Sequence, residues 1–387
     1  MDYLNNALSI YYYSVANSFV HSLPPISIAR GSKRAAKILL FFELTKNIRT
    51  FLHFFCIIAK KAVLLCRIMA NTFGDKWSFT SFGESHGAAI GGVLDGVPAG
   101  IAIDFALIRE ELERRAGKQM ANGKLQIAKG CSPRAAREPD EVEWLSGVLP
   151  LSLEGRAGEG LLTLGTPIAF LIRNKDARPE DYEWLKHTYR VGHADKVYEQ
   201  KYGIRDWRGG GRASARETAA RVVAGGIAKQ ELAAKGISIH ASLVQVGAEA
   251  DPAKFTETIA TYQRKGDSIG GIIECRINGL PVGTGEPIFD KLQAHLAFAI
   301  LSINACKGFE YGAGFSGVTQ PGSAINAISG GISGGISDGT EIVFRCVFKP
   351  TPSTPKAGVK GRHDACVATR AVPVVEAMTA LSLVQFL

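Results

Sequence analysis

The stretch that most constrains the fold is KYGIRDWRGGGRASARETAARVVAGGIAKQELAAKG, residues 201 to 236. Ser214 followed three residues later by Glu217 has the form of a capping box, and apolar positions then recur with helical spacing. Gly236 directly after Lys235 is typical of the residue that ends a helix. The pattern therefore predicts a helix from about residue 215 to 235.

Three consecutive glycines, residues 209 to 211, precede this helix, and Arg208, Arg212 and Arg216 surround its start. Free backbone N–H groups, the positive end of the helix dipole and guanidinium groups are the features with which proteins hold phosphate. We therefore predict an anion site at this helix start. The alternative is a solvated basic turn whose glycines serve only to reverse the chain.

The remaining patterns predict the fold class. DFALIREELERRA, residues 104 to 116, indicates a helix capped by Asp104, whereas GIIECRI, 271 to 277, and EIVFRCVF, 341 to 348, alternate as half-buried strands do. PIFDKLQAHLAFAILSI, 287 to 303, indicates a helix that opens at Pro287, and Pro373 opens another. Interleaved helices and alternating strands without a linker favour a single α+β domain with antiparallel sheets.

Residues 1 to 69 have a different composition. They hold nine lysines and arginines against two acidic residues and so account for about seven of the net charge of +9. A charge excess confined to one terminus does not indicate nucleic-acid binding. No stretch reaches the roughly 20 apolar residues of a membrane span. We interpret residues 1–68 as an atypical extension, either a leader before a true start at Met69 or an organelle transit peptide.

The cysteines and histidines point to no metal site. The seven cysteines form neither a CxxC pair nor a disulfide framework, which favours a reducing compartment. We predict a cytoplasmic protein, or one of a plastid or other organelle if residues 1–68 are a transit peptide. The sequence contains no GxxxxGK[ST] P-loop template, and we interpret none of its glycine-rich segments as a dinucleotide-binding site or as the nucleophile elbow of a serine hydrolase.

Three glycine- or proline-rich segments carry ionisable residues. FGESHGAAIGG, 82 to 92, places Glu84, Ser85 and His86 between glycines, and YRVGHAD, 189 to 195, places His193 after a glycine. KPTPSTPKAGVKGRHDACV, 349 to 367, contains Asp364 in a stretch whose prolines favour a rigid, ligand-facing loop. For each segment taken alone, a structural turn or an ordered surface crossing is the competing interpretation.

Together these segments resemble one family. FGESHG, GHAD with KYGIRDWRGGGRASARET, NACKGFEYGAGF, and KPTPS with GRHDACV follow in the order found in chorismate synthases, over residues 70 to 387. The resemblance implies a lyase of the shikimate pathway of aromatic amino-acid biosynthesis, which converts 5-enolpyruvylshikimate 3-phosphate to chorismate and phosphate by anti-1,4-elimination. It also implies a sandwich of two antiparallel sheets around central helices, a homotetramer, reduced FMN as cofactor, an association with NADP, and a separate flavin-reducing system.

Roles for individual residues follow from the same resemblance. His86 and His193 match the family's two working histidines, and Asp364 matches the aspartate beside the flavin. Which histidine serves the flavin and which the substrate stays open. Ser85 and Arg115 match substrate-binding positions, and glycines 83 and 87 are expected to let the backbone approach the ligand. The matches to flavin-binding positions are Arg212, Ala213, Ser214, Asn304, Ala305, Gly334, Lys349, Pro350, Thr351, Pro352, Ser353 and Arg362.

The sequence departs from the family pattern in several places. Val191, Ala116 and Ala365 stand where proline, arginine and proline are usual, and residues 118 to 133, 150 to 163 and 316 to 333 differ from the family's text. Two alternatives to an active enzyme of this family stay open, and these changes suggest the first of them. One is a catalytically impaired flavin- and phosphate-binding member of the same fold, and the other is a flavin oxidoreductase that transfers hydride.

Overall fold

Two antiparallel sheets with helices between them organise the chain from Asn71 to Leu387, which forms one unit by its own contacts. The computed structural model describes residues 71–121, 124–127, 134, 137–151, 160–325, 328–359 and 363–387. Within these residues no helix has the length and apolar character that a membrane crossing needs.

The first sheet has five strands in the spatial order β1–β2–β3–β10–β7. Ile168, Phe170 and Ile172 show why this sheet has a core face, because alternate residues of one strand are fully buried. The strands are β1 (Thr72–Phe73), β2 (Ser78–Phe82), β3 (Ala89–Asp95), β7 (Val142–Ser146) and β10 (Ile168–Arg173).

The second sheet has four strands in the spatial order β11–β12–β16–β13, and every pairing in it is antiparallel. Its strands are β11 (Ser238–Val246), β12 (Gly271–Asn278), β13 (Cys306–Tyr311) and β16 (Ile342–Phe348). The two strands predicted from alternation at 271 to 277 and 341 to 348 are therefore confirmed, and they are direct neighbours.

Smaller sheets border these two. A three-stranded sheet consists of β4 (Ala102–Asp104), β9 (Gly160–Thr163) and β8 (Val148–Pro150). Two hairpins consist of β5 (Lys118–Ala121) with β6 (Lys124–Ile127), and of β14 (Ile332–Ser333) with β15 (Ile336–Ser337).

The described α-helices are α1 (Phe105–Arg115), α2 (Asp195–Tyr202), α3 (Thr218–Ala234), α4 (Pro252–Arg264), α5 (Leu292–Leu301), the single turn α6 (Gly322–Ile325) and α7 (Ala368–Leu383). Short 3₁₀ segments cover Pro179–Lys186, Gly211–Ala213, Ala215–Glu217, Gly314–Thr319 and Pro355–Ala357. Helix α1 is as predicted, because the Asp104 carboxylate accepts a 2.7 Å hydrogen bond from the N–H of Ala106.

Helices α3 and α7 form the layer between the sheets. Helix α3 contacts β2 and β3 of the first sheet and β11 of the second, and α7 packs against α3, β11 and β12. Gly225 makes the close crossing of the two helices feasible, since a Cβ there would lie 2.3 Å from the Cβ of Ala377. The predicted sandwich of antiparallel sheets around central helices is confirmed.

The predicted capping box at the start of α3 is wrong in its details. The Ser214 hydroxyl accepts from the N–H of Arg216, and a 3₁₀ turn over Ala215–Glu217 precedes the α-helix. The Glu217 carboxylate accepts from Arg221 at 3.0 Å instead of turning back to cap the helix. The helix therefore begins at Thr218, three residues after the predicted start.

Neither predicted proline start is correct. Helix α5 begins at Leu292, because the N–H of Leu292 donates to Gly335 O and residues 286 to 290 close a turn of their own. Helix α7 begins at Ala368 and contains Pro373 in its interior. A proline inside a helix costs about 3 kcal/mol, and the burial of the eleven residues from Pro373 to Leu383 offsets this cost.

Candidate functional site

A cavity of about 550 Å³ lies where loops and helix ends from distant parts of the chain meet. Twelve of the residues predicted for the site line it: His86, Arg115, His193, Ala213, Ser214, Asn304, Ala305, Lys349, Thr351, Pro352, Ser353 and Asp364. The structure thus brings together residues that are separated by up to 278 positions in the sequence, since 364 − 86 = 278.

The other predicted residues that the structure describes do not line this cavity. Ser85 is buried directly beside the cavity and contacts His86. Pro350 packs against Gly270 and is not part of the lining. Gly334 lies at the turn between β14 and β15 and does not border the cavity. Arg362 lies outside the described residues.

The three arginines around the start of α3 each have their own protein partners. Arg212 borders a neighbouring cavity of about 250 Å³ and donates to the carbonyls of Ser81 and Gly83, at 3.2 and 3.3 Å. Arg208 pairs with Asp206 at 2.8 Å. Only Arg216 lines the larger cavity. The predicted convergence of three guanidinium groups on one anion is therefore not seen.

The loop that carries His86 is held by hydrogen bonds from other segments. Gly83 has φ +90°, and a Cβ there would lie 2.2 Å from Ala89 O, so its glycine is required by the neighbouring backbone rather than by a ligand. Asn174, directly after β10, donates from Nδ2 to the carbonyls of Glu84 and Gly87 at 3.0 and 2.9 Å. One amide therefore fixes the turn on both sides of His86.

His86 is enclosed from several sides. Its Nδ1 lies 3.1 Å from Ser85 Oγ, and its ring meets Tyr182 edge-on at 4.8 Å between centroids. Arg134 Nη1 donates to Ser85 O at 2.8 Å and lies 3.5 Å from His86 Nε2. Gly209 must lack a side chain, since a Cβ there would lie 2.1 Å from His86 Nδ1. His86 is thus a buried histidine beside a cation at the cavity wall.

His193 lies beside a carboxylate. Its Nδ1 is 2.8 Å from Asp195 Oδ1, and Asp195 also accepts from the Arg190 guanidinium. Burial opposes the charge of Asp195, but hydrogen bonds from Arg190 and His193 outweigh it and hold the pKa of the carboxyl well below its ordinary value. Asp195 is therefore ionised at neutral pH.

Arg115 belongs to a buried ionic layer behind the cavity wall. Its guanidinium donates to Asp140 at 2.9 Å, to Thr218 at 3.1 Å, and to the carbonyls of Ala215 and Arg216. Burial raises the pKa of the Asp140 carboxyl, and the charges of Arg115 and Arg216 reverse this, so that the net shift is downward. Arg115 therefore borders the cavity while several of its donors serve the protein.

Asp364 lies in a part of the lining connected to this layer. Arg370 Nη1 donates to both carboxylate oxygens of Asp364, at 3.0 and 2.7 Å. The same arginine donates from Nε to Arg115 O at 2.9 Å. Arg370 therefore fixes the position of Asp364 relative to the end of α1.

The residues that match flavin-binding positions form a second part of the wall. Ala305 has φ +67°, the one positive value among the described residues other than glycine, and its carbonyl accepts from the N–H of Lys349. Asn304 donates to Ala213 O at 3.2 Å, while its buried Oδ1 has no hydrogen-bond partner among the described residues. Lys349 Nζ reaches Gly192 O at 3.1 Å. An unpaired buried acceptor beside a strained backbone is typical of a ligand site.

The cavity carries an excess of positive charge. Its lining contains seven lysines and arginines against three carboxylates. The cations are Arg115, Arg134, Arg190, Arg216, Lys307, Lys349 and Arg370, and the anions are Glu138, Asp140 and Asp364. Such a lining suits a ligand with more than one anionic group.

Several residues that line the cavity were not predicted as site residues. Arg134 and Arg370 belong to no predicted motif, and Asn174 does not touch the cavity but positions its loop. Arg190 and Lys307 lie within the quoted segments YRVGHAD and NACKGFEYGAGF, but the sequence predicts no role for either side chain. Among the described residues no group of three or more His, Cys, Asp or Glu side chains is arranged to hold a metal ion.

Comparison with known proteins gives one consistent result. The family model described as chorismate synthase matches residues 77–387. The chorismate synthase of Christiangramia forsetii is 43% identical over 364 residues, covering 82% of this chain and 97% of its own length, and that of Cytophaga hutchinsonii is 44% identical over 370 residues, with 82% and 97% covered. A crystal structure of a chorismate synthase superimposes with a TM-score of 0.62 at 29% identity, covering 81% of this chain and 92% of that one.

Proposed function

Because the chain belongs to the chorismate synthase family, we propose that it converts 5-enolpyruvylshikimate 3-phosphate to chorismate and phosphate with reduced FMN as cofactor. As a member of this family it is a lyase of the shikimate pathway. The proposed reaction and its cofactor rest on one observation. His86, His193 and Asp364 meet the predicted flavin-binding segments around one cationic cavity.

The residues of the cavity suit FMN. Asn304 Oδ1 is a buried acceptor without a partner among the described residues, which suits a ligand that brings an N–H donor. Lys307 and Lys349 line the cavity and take part in no ion pair among the described residues, so they are available to a phosphate. Residues 304–305, Lys349 and residues 351–353 line the cavity and would hold the flavin, which supplies electron density to the reaction without net redox change.

The elimination removes a proton from C6 and a phosphate from C3 of the substrate on opposite faces of the ring. Arginines near His86 supply the positive charge that a leaving phosphate requires, because Arg134 and Arg216 are both part of the lining. His86, His193 and Asp364 are the groups of the wall that can hold or move a proton. Which histidine faces the substrate and which faces the flavin is part of the proposal to be tested.

An anaerobic assay tests the proposal. The protein is mixed with 5-enolpyruvylshikimate 3-phosphate and chemically reduced FMN, and chorismate and phosphate are measured together. We expect one phosphate per chorismate without consumption of reduced nicotinamide, and no turnover with oxidised FMN alone. Consumption of nicotinamide per product would favour the oxidoreductase alternative, and tight flavin binding without phosphate release would favour the catalytically impaired member.

We further propose a homotetramer that receives reduced flavin from a separate reducing system. Large apolar side chains are exposed, among them Phe289, Phe298 and Phe315, and exposed apolar surfaces are typical of subunit contacts. Gly334 does not border the cavity of its own chain. If it contacts flavin, that flavin would be the one bound in the cavity of another subunit. Light scattering at several concentrations tests the assembly.

For the cellular location we keep the cytoplasm as the proposal, with a plastid or another organelle as the alternative if residues 1–68 direct import. Localisation of the full chain carrying a C-terminal fluorescent tag, compared with a chain that starts at Met69, separates the two.

A further inference from the structure

His193 and Asp195 form a buried pair of the kind that fixes a histidine tautomer. The distance between His193 Nδ1 and Asp195 Oδ1 is 2.8 Å, and only 2% of the Asp195 side chain is exposed. His193 itself is 15% exposed and lines the cavity, and its Nε2 has no hydrogen-bond partner among the described residues. The two ring nitrogens therefore have different surroundings, one facing the protein and the other available.

Asp195 cannot easily turn away from this histidine. Its Oδ2 accepts from the backbone N–H and the Nε of Arg190, at 3.1 and 2.9 Å, and its Oδ1 accepts from Arg190 Nη2 at 2.8 Å. The Arg190 side chain is 3% exposed. Three hydrogen bonds from one buried arginine hold the carboxylate in a single orientation, with Oδ1 toward the imidazole.

The other side of the histidine is closed by backbone. Gly210 has φ +92°, and a Cβ there would lie 2.8 Å from His193 Cε1 and 3.0 Å from Arg190 Nη2. His193 Nδ1 also lies 3.2 Å from Arg190 Nη2, and a guanidinium can only donate. The carboxylate, at 2.8 Å, is closer to Nδ1 than this cation is. It therefore favours the form of the ring that carries its proton on Nδ1.

We propose that Asp195 is a positioning residue for the reaction: it accepts a hydrogen bond from His193 Nδ1–H and thereby makes Nε2 the nitrogen that exchanges protons with a ligand in the cavity. Arg190 acts one step further out, because it orients the carboxylate. The inference rests on the proposed function insofar as His193 is taken to handle a proton in the reaction. It assigns no step to Asp195 itself, which does not touch the reacting atoms.

A purely structural role for Asp195 is the competing explanation. Asp195 is the first residue of α2 and the partner of a buried arginine, so its loss would also weaken the fold. The two explanations differ in what happens to the histidine. A structural role leaves the tautomer of His193 and its coupling to Asp195 undetermined, whereas a positioning role fixes both.

The first experiment uses the unaltered protein. ¹⁵N labelling of the eight histidines and NMR above the titration range of imidazole report which ring nitrogen carries the proton, and the signal of His193 is assigned by its loss in His193→Ala. We expect the Nδ1–H form for His193. The Nε2–H form, which predominates in a free neutral histidine side chain, would overturn the proposal whether or not the protein proves active.

The second experiment is a double-variant comparison of turnover with reduced FMN. Removal of a general acid or base predicts that His193→Ala lowers kcat by about 10²- to 10⁴-fold. Asp195→Asn should lower kcat by no more than this. The KM for the substrate and the affinity for FMN should stay close to the unaltered values. In the His193→Ala background, Asp195→Asn should cause no further loss. Equal losses in both backgrounds would overturn the proposal.

A matched control separates the general effect of an acidic residue at a helix start from positioning. Asp251 also stands at the start of a helix, where it accepts from the N–H of Ala253, and it is exposed and distant in sequence from the cavity residues. Asp251→Asn should leave kcat unchanged. If Asp195→Asn fails to fold, the tautomer in the unaltered protein decides alone. If the unaltered protein releases no phosphate, the proposed function fails while the tautomer measurement still tests the pair.

Discussion

Among the histidines that the structure describes, His86 has the surroundings that least resemble those of a solvent-exposed imidazole. It is buried, and its ring nitrogens lie beside the Ser85 hydroxyl and the Arg134 guanidinium. We predict that His86→Ala lowers kcat by about 10²- to 10⁴-fold if the ring transfers a proton. Unaltered thermal unfolding would show that the fold persists. His240→Ala is the matched control, because His240 is exposed on β11 and should leave turnover unchanged.

Arg115 can serve the fold, the substrate or both, and a substitution distinguishes these roles. Its side chain is 2% exposed and is paired with the equally buried Asp140. Arg115→Ala leaves that carboxylate with less compensation, so we expect the free energy of unfolding to fall by about 3–5 kcal/mol, as for a broken buried ion pair.

Urea unfolding and substrate KM are the measurements for Arg115. If the arginine also binds the substrate directly, affinity should fall by roughly 1.5–3 kcal/mol on top of the stability loss. Unchanged stability with a raised KM would contradict the structural role, and FMN affinity should be nearly unchanged in either case.

Residue types near the site could be predicted from sequence, but their partners could not. Spacing and glycine content singled out His86, His193 and the 349–367 segment, and the structure places them around one cavity. Arg212 shows the limit, because its guanidinium donates to Gly83 O, 129 residues away. No local pattern states which donors a distant carbonyl will occupy, and this decides whether an arginine faces a ligand or the protein.

At the scale of elements, helix α7 is held in the interior by a buried ionic cluster. Glu376 is 1% exposed on its side chain and accepts from Arg114 of α1 at 2.8 Å, from Lys229 of α3 at 2.6 Å and from the N–H of Ala241 on β11 at 2.8 Å. One carboxylate thus joins three helices and a strand.

Glu376→Gln tests this cluster. The change leaves Arg114 and Lys229 with less compensation, so we expect a loss of about 3–5 kcal/mol in the free energy of unfolding, measured in urea. Glu257→Gln is the control, since Glu257 forms an exposed pair with Arg264 and its loss should change stability by less than about 1 kcal/mol. Similar small effects in both variants would refute a stabilising role for the cluster.

The same helix explains why element starts were harder to predict than element types. Both strands and the helices predicted from about residues 104, 215 and 373 were recognisable from period and composition. Pro373 misled the prediction because a proline normally marks a first turn, whereas here the apolar surroundings of α7 make a longer helix stable. A local periodic pattern contains no information about packing against residues that are distant in the sequence.

For the molecule as a whole, the first prediction concerns its N-terminal part. Residues 71–387 form one unit by their own contacts, and the family match begins at residue 77. We therefore expect a chain that starts at Met69 to fold and to turn over substrate as the full chain does. Circular dichroism, thermal unfolding and the anaerobic assay compare the two, and an insoluble or inactive shorter chain would contradict the interpretation of residues 1–68 as a leader.

The second prediction for the whole molecule concerns the stability of the fold at acidic pH. Asp140, Asp195 and Glu376 are buried carboxyls whose pKa values arginine and lysine partners hold below the ordinary ones, although burial opposes this. In the unfolded chain they take up protons near pH 4, whereas in the folded chain they stay ionised to lower pH. The unfolded state therefore binds more protons in acid, and stability present at neutral pH is lost as the pH falls below about 4.5.

Urea unfolding at a series of pH values measures this loss. The Glu376→Gln variant, which has lost one of the three groups, should show a shallower decline below pH 4.5 than the unaltered protein, because its remaining pH dependence comes from Asp140 and Asp195. Parallel declines for the two proteins would mean that Glu376 has the same proton affinity folded and unfolded. The cluster that joins α1, α3, α7 and β11 would then owe its stability to packing rather than to charge.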